Sequence, residues 1–346
     1  MPTAPMPSCV ADEFRYGSWV GGPSSPAFSP VPGCGHLQYV NRSCDHGRPF
    51  SHRRLCAALR CRSVLFAGDS TMRGVFLAIV GELIANHSRQ ATVGLSGGWA
   101  ACGSIHDWER AQKQDVDERK SRRLRMPHPV CESTHCPYGV NLTFVRSDHL
   151  DVENATYNAG DAQQMRTCAD ESALRWMSLL EQEAQLLVIS RGTHVEEYKS
   201  VHGRDVRGDA AWHAERARLL ASQLRDKPTQ GILYLRPHWG VAEYSDEPRH
   251  GKLADRREHP HPVSTRYSWH LLPMMGEVTA TQLRKGLGDQ VLVIDPTLAL
   301  EQRPDCRLDP LHIRPEVLVG SVLRLLVAGL SHWHWQRENS AYPLDP

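Results

Sequence analysis

The sequence predicts an α/β fold with a doubly wound, mostly parallel sheet, and three observations point there. Four short apolar runs, Val64–Ala67, Leu186–Ile189, Ile232–Leu235 and Val291–Ile294, have strand length and no alternation, as strands buried on both faces do. Helix-like stretches lie between and after them: Met72–Ala85, Ala173–Glu183, Ala210–Leu224, Glu277–Lys285 and Pro315–Leu330. A chain of 346 residues, 40% hydrophobic, suffices for one large domain with a sizeable core. Such a sheet binds ligands at the C-terminal ends of its strands.

Taken in order, residues 1–61 form a cysteine-rich segment with a Gly-Gly-Pro-Ser-Ser-Pro loop at 21–26. It has too few apolar residues to fold without covalent staples. The α/β domain runs from 62 to 335, and 336–346 is a tail. Within the domain, 94–161 breaks the strand–helix rhythm and reads as a long irregular insertion over the sheet, with one strand at Leu142–Arg146. Ser245–Tyr267, rich in His, Arg, Pro and Asp, reads as loop. No internal repeat is visible.

The net charge of +1 argues against wholesale binding to nucleic acid or an anionic membrane. The basic block Arg119, Lys120, Arg122, Arg123 and Arg125 follows Asp115, Asp117 and Glu118, and reads as a solvated helix or insertion. Ten cysteines, half of them before residue 62, read as disulfides rather than a zinc site, because no pair has CxxC spacing. Sequons at Asn41, Asn86, Asn141 and Asn154 are candidate glycosylation sites and point to the same oxidising compartment. No apolar run is long enough to span a bilayer. Met1–Glu13 have neither a basic start nor an apolar run, so no signal peptide is visible. The preferred expectation is a lumenal or secreted chain without its leader, the alternative a cytosolic protein with reduced cysteines.

The chemistry-bearing motif follows the first buried strand. Val64-Leu-Phe-Ala-Gly68-Asp69-Ser70-Thr71 reads as strand, tight turn and helix start. That arrangement sets the Ser70 hydroxyl at the sheet's C-terminal edge, near helix N–H groups that favour negative charge. Serine needs a base. One is available in Asp309-Pro310-Leu311-His312, just before the last helix: Asp309 would orient His312, and His312 would take the Ser70 proton. The competing reading makes Ser70 only a helix cap and His312 a surface histidine.

Other strand ends should converge on Ser70. Leu186–Ile189 is followed by Ser190-Arg191-Gly192-Thr193-His194, and Ile232–Leu235 by Arg236-Pro237-His238. The backbone N–H groups of Ser70 and Gly192 are the oxyanion candidates. Asp69, Arg73, Arg191, His194, Arg236 and His238 are candidates for holding substrate. His194, His238, His312 and the pair His332 and His334 lack tight ligand spacing, so no metal is expected.

With these pieces placed, the chain resembles the trichome-birefringence-like proteins and the wider PC-esterase group of the SGNH (GDSL-like) hydrolase superfamily. Cys9 followed by Phe14-Arg-Tyr-Gly-Ser-Trp-Val20 resembles the opening motif, and Cys44-Asp-His-Gly-Arg-Pro49 a second element. Gly68-Asp69-Ser70 with Arg73, Arg191-Gly-Thr-His194, Arg236 with His238, and Asp309-x-x-His312 follow in the family's order. Two features depart from the pattern: Cys306 precedes Asp309 with no Trp-Cys after His312, and Ser190 stands where the family commonly has asparagine. The resemblance implies an SGNH-type sheet and an O-acyltransferase. It would move an acyl group, usually acetyl, to a polysaccharide hydroxyl in the Golgi lumen through an acyl-Ser70 intermediate, with no bound cofactor. A carbohydrate or lipid esterase on the same triad, and a catalytically silent glycan-binding protein, are the alternatives.

Overall fold

The computed structural model describes residues 18–21, 37–40, 51–87, 123–125, 131, 139–147, 150, 177, 180, 185–191, 209–229, 231–238, 271–303, 306 and 312–340. Two short strands, β1 (Ser18–Gly21) and β2 (Leu37–Val40), pair antiparallel as a hairpin. Helix α1 (His52–Leu59) follows, capped by Ser51, whose hydroxyl accepts from Arg54 N–H. The main sheet has six strands: β3 (Val64–Gly68), β4 (Arg123–Arg125), β5 (Leu142–Arg146), β6 (Leu186–Ile189), β7 (Gly231–Leu235) and β8 (Val291–Ile294). Its order is β4-β5-β3-β6-β7-β8, with only the edge strand β4 antiparallel.

The four apolar runs are therefore strands, and the α/β doubly wound, mostly parallel sheet is the one the sequence predicts. Two readings change. Leu142–Arg146 does not lie over the sheet: it pairs in parallel with β3 from Val64↔Leu142 to Gly68↔Arg146, beside the strand that leads to Ser70. Part of the basic block, Arg123–Arg125, is an edge strand on β5 rather than a helix. The Ala173–Glu183 helix lies mostly outside the described residues.

Strict alternation divides the core into two layers. Val64, Phe66, Leu142, Phe144, Leu186, Val188, Leu233, Leu235, Leu292 and Ile294 face α1, α2 (Ser70–His87) and the C-terminal helical run. Leu65, Ala67, Val145, Leu187, Ile189, Ile232, Tyr234 and Val293 face α3 (Ala210–Arg225) and α4 (Leu272–Leu287). After β8 come α5 (Thr297–Glu301), α6 (Pro315–Leu318), a π-helical turn at Val319–Leu323 and α7 (Arg324–Ser340), so the last helix runs past the boundary expected at 335. The π turn lies wholly in the core, and just after it the buried Arg324 donates through Nε to the Tyr39 carbonyl of β2 at 2.9 Å.

The N-terminal stretch is stapled to the sheet layer by a Cys56–Cys131 disulfide, and Cys61 and Cys306 are disulfide-bonded as well. Among the described residues no helix is long and apolar enough to cross a membrane.

Candidate active site

Counted along the parallel strands, the chain visits β3, then β5 on one side, then β6, β7 and β8 on the other. The order reverses between β3 and β6, so the crevice of this sheet opens beyond Gly68 and Ile189. Three strand ends are joined there by main chain: Ser147 N–H donates to Gly68 O at 2.8 Å, and Ser190 N–H to Ala67 O at 3.3 Å. Gly68 is required by the close approach. A Cβ on it would sit 2.8 Å from Met72 Cβ and 3.1 Å from the Ser190 carbonyl oxygen.

The turn assigns its side chains distinct tasks. Asp69 is wholly buried, and its Oδ1 accepts from Thr71 N–H at 2.8 Å and from Thr71 Oγ1 at 2.6 Å. Its carbonyl accepts the first helical bond, from Arg73 N–H at 3.0 Å. Asp69 therefore caps α2, a contribution of about 1 kcal/mol, and this is where the structure sets a residue expected to hold substrate. With the cap supplied by Asp69, the Ser70 hydroxyl is released from that task. It meets His312 instead: Ser70 Oγ and His312 Nε2 are 2.8 Å apart, across 242 residues of sequence.

A hydroxyl that donates to Nε2 requires the imidazole proton on Nδ1, the tautomer that a carboxylate on the far side of the ring selects. Ser70 is also the first residue of α2, where main-chain N–H groups have no helical acceptor and the helix dipole is positive. A hydroxyl, an imidazole and main-chain N–H groups that favour negative charge thus occupy one edge. The local chain makes His312 reachable: Arg314 N–H bonds back to Cys306 O at 3.1 Å, closing the loop that carries it.

The remaining candidates fare differently. Gly192, His194 and Asp309 lie outside the described residues, as do Asn41 and Asn154. Arg73 is half-buried one turn into α2, and His238 is buried just past β7. Arg191 is buried, with its guanidinium 5.8 Å from the centroid of the Trp212 ring. Arg236 is engaged at the far end of the edge: its Nη1 lies 2.7 Å from Asp295 Oδ2 and 3.0 Å from Glu277 Oε2, and its Nη2 donates to Pro273 O at 3.2 Å. Beside it Tyr234 is wholly buried, and burial pushes its phenol far above its ordinary value. Asn141 is half-buried at the opposite, N-terminal edge, donating its N–H to Ser63 Oγ at 3.3 Å.

Sequence reasoning missed Asp295 and Glu277, the partners of Arg236. An aspartate directly after a predicted strand was the available signal. Among the described residues, His52, Cys56 and Cys131 bring ligand-type atoms within 4.8 Å of one another. Their two sulfurs are bonded to each other, with His52 Nε2 3.3 Å from Cys56 Sγ, so the group is a disulfide beside a histidine.

No family model matches the chain, and no curated protein matches it. Similar solved structures include a catalytic mutant of an acetylxylan esterase from Geobacillus stearothermophilus, 11% identical, covering 78% of this chain and 94% of that chain, with a TM-score of 0.36. A second mutant, of an acetyl-xylooligosaccharide esterase from the same organism, has the same identity and coverage and a TM-score of 0.37. Likeness this distant carries no argument about the chemistry of this chain.

Proposed function

We propose that this protein is a serine-dependent acyl-transfer enzyme that moves an acyl group, acetyl by preference, onto a glycan hydroxyl. The observation that carries the reading is the 2.8 Å contact between Ser70 Oγ and His312 Nε2 at a helix N-terminus on the sheet's C-terminal edge. Ser70 attacks the acyl carbonyl carbon while His312 Nε2 takes the hydroxyl proton, and main-chain N–H groups at Ser70 and Gly192 hold the oxyanion. As the intermediate collapses, His312 protonates the leaving group and the acyl group remains as an ester on Ser70. An acceptor hydroxyl then gives its proton to His312 and attacks the ester carbonyl; as the Ser70 C–O bond breaks, His312 returns that proton to Oγ and the acyl group leaves on the acceptor. Asp309 is the residue that would hold the imidazole in its Nδ1–H tautomer. The acyl group resides on Ser70 and no bound cofactor is needed.

The glycan acceptor, the acetyl donor and a secretory or Golgi location come from the resemblance of the motifs to the PC-esterase group. Disulfides at Cys56–Cys131, Cys61 and Cys306 support an oxidising compartment. If water takes the acceptor's place, the same site is a carbohydrate esterase.

The test is turnover of p-nitrophenyl acetate by wild type and Ser70→Ala, with the mass of the Ser70 peptide read after rapid quenching. Acetylated Ser70 in wild type, with both signals lost in the variant, establishes the acyl-enzyme. Added xylan or oligosaccharide that gains acetyl groups then separates transferase from hydrolase. A folded wild type with neither turnover nor acetyl-Ser70 overturns the reading in favour of a glycan-binding protein.

A further inference from the structure

We propose that Trp19 and Arg303 are positioning residues for His312, so that the N-terminal hairpin sets the base of the active site. The proposal rests on the reading of Ser70 and His312 as nucleophile and base.

The His312 loop has a closed neck. Cys306 is wholly buried and disulfide-bonded, its carbonyl accepts from Arg314 N–H at 3.1 Å, and its own N–H donates to Arg303 O at 3.3 Å. Ile313, next to His312, is buried in the core as well. His312 is thus two residues from a point of attachment, and what holds Cys306 and Arg314 governs where the imidazole sits.

Arg303 holds that point from outside. It is buried, its Nη2 lies 2.7 Å from Cys306 Sγ, and its guanidinium lies over the Trp19 ring with 5.4 Å to the centroid. Sulfur is a weak acceptor, so the contact gives Arg303 direction more than strength. The face of Trp19 supplies the opposing wall.

Trp19 cannot shift freely in turn. Its Nε1–H donates to Ala299 O in α5 at 2.9 Å, and its ring meets Tyr39 edge-on at 5.7 Å. The Tyr39 carbonyl is gripped by Arg324, the first residue after the π turn. The hairpin is therefore anchored to α5, which precedes the His312 loop, and to α7, which follows it beyond α6 and the π turn. Hairpin, Arg303, Cys306 and Arg314 form one continuous brace. Trp19 acts on His312 through Arg303.

The test uses the full chain with Trp19→Ala, Trp19→Phe, Arg303→Met and Arg303→Lys. Acylation of Ser70 by p-nitrophenyl acetate is followed by rapid-quench mass measurement. In parallel, the His312 Cε1–H resonance, assigned by its loss in His312→Gln, reports the contact with Ser70 without any turnover. Trp19→Ala and Arg303→Met are expected to slow acylation by about tenfold to a hundredfold with half-saturating ester changed by less than about twofold. They should also move the His312 resonance toward its position in Ser70→Ala. Trp19→Phe keeps the ring beneath Arg303 and loses only the Ala299 bond, so its effect is smaller, and Arg303→Lys recovers part of the rate lost in Arg303→Met. These two mild variants decide the matter if the other two do not fold.

Unchanged acylation with an unmoved His312 resonance overturns the proposal. So does a slower rate with an unmoved resonance, which would assign Trp19 to substrate binding. A wild type that never acylates, with a resonance that still moves in Trp19→Ala, keeps the brace and removes the nucleophile reading beneath it.

Discussion

The sheet's C-terminal edge carries the same local device twice, after β3 and after β8. Gly68-Asp69-Ser70-Thr71 and Ile294-Asp295-Pro296-Thr297 each run from strand to aspartate to helix. In both, Oδ1 of the aspartate accepts from the N–H of the threonine two residues on, at 2.8 Å for Asp69 and 3.0 Å for Asp295. The outcomes diverge at the residue between. Pro296 offers no polar group, and Asp295 uses Oδ2 to hold Arg236. Ser70 offers a hydroxyl, and the last part of the chain delivers a histidine to it. The turn is thus a generic way to start a helix on a strand end, and on the proposed function chemistry arises only where the middle residue is nucleophilic and the fold supplies its base.

The sharpest break of this comparison is Ser70→Ala, which turns the β3 copy into an inert turn like the β8 copy. On the proposed function, ester turnover should fall by at least about a thousandfold, and His312→Gln should do nearly the same. Their double variant should be no worse than either alone, because the two act as one unit. Rate measurements on the three proteins check this.

Next in size is Gly68→Ala. The added Cβ meets Met72 Cβ and the Ser190 carbonyl oxygen, at 2.8 Å and 3.1 Å, and overpacking of this kind costs about 1–3 kcal/mol. It should also displace Ser70, so acylation should fall beyond what lost stability explains. Urea unfolding beside acylation kinetics separates the two.

Arg236→Met sharpens the contrast from the other side. It leaves Asp295 without its main partner in a site where the two side chains are only 12% and 15% exposed, and should cost about 1–3 kcal/mol. The acylation rate should remain within about threefold, since Arg236 braces β7, β8 and α4 and does not border Ser70. A large loss of rate in a stable variant would return Arg236 to the role the sequence suggested, as a substrate ligand.

The smallest effect belongs to Glu215 and Arg218, paired on the outer face of α3 at 2.7 Å. The hydrogen bond from Arg218 lowers the Glu215 carboxyl below its ordinary value. A lowered carboxylate contributes stability that is present above its unfolded value and lost as pH falls through its folded value. Because both groups are fully exposed, Glu215→Gln should leave acid unfolding within experimental scatter.

Much of this architecture was legible in the sequence because buried parallel strands carry a local signal. Val64–Ala67 or Val291–Ile294 are apolar throughout, whatever lies beside them. The Ser70 and His312 motifs were legible because each carries its own turn or helix boundary, and their shared site followed from chain order and family resemblance. What escaped depends on distant partners. Leu142–Arg146 reads as a strand, but its place in the sheet, parallel to β3, escaped because it lies within the irregular 94–161 stretch. Arg236 looked available for substrate because its acceptor, Asp295, is 59 residues away on another strand. Of the brace, only Trp19 carried a signal, as part of the Phe14–Val20 motif; nothing marked Arg303 as its partner. The π turn adds no residue type that marks it.

The span between Ser70 and His312 also orders events in the life of the chain. Synthesis proceeds from the N-terminus, and domains of this size assemble through partly ordered states. The Gly-Asp-Ser residues are made early, whereas His312 comes 242 residues later, just before the helices that close one face of the core. Joining ends so far apart is entropically slow compared with any helix or neighbouring strand pair. On the proposed function, a chain that ends before His312 carries the Gly-Asp-Ser turn without its base.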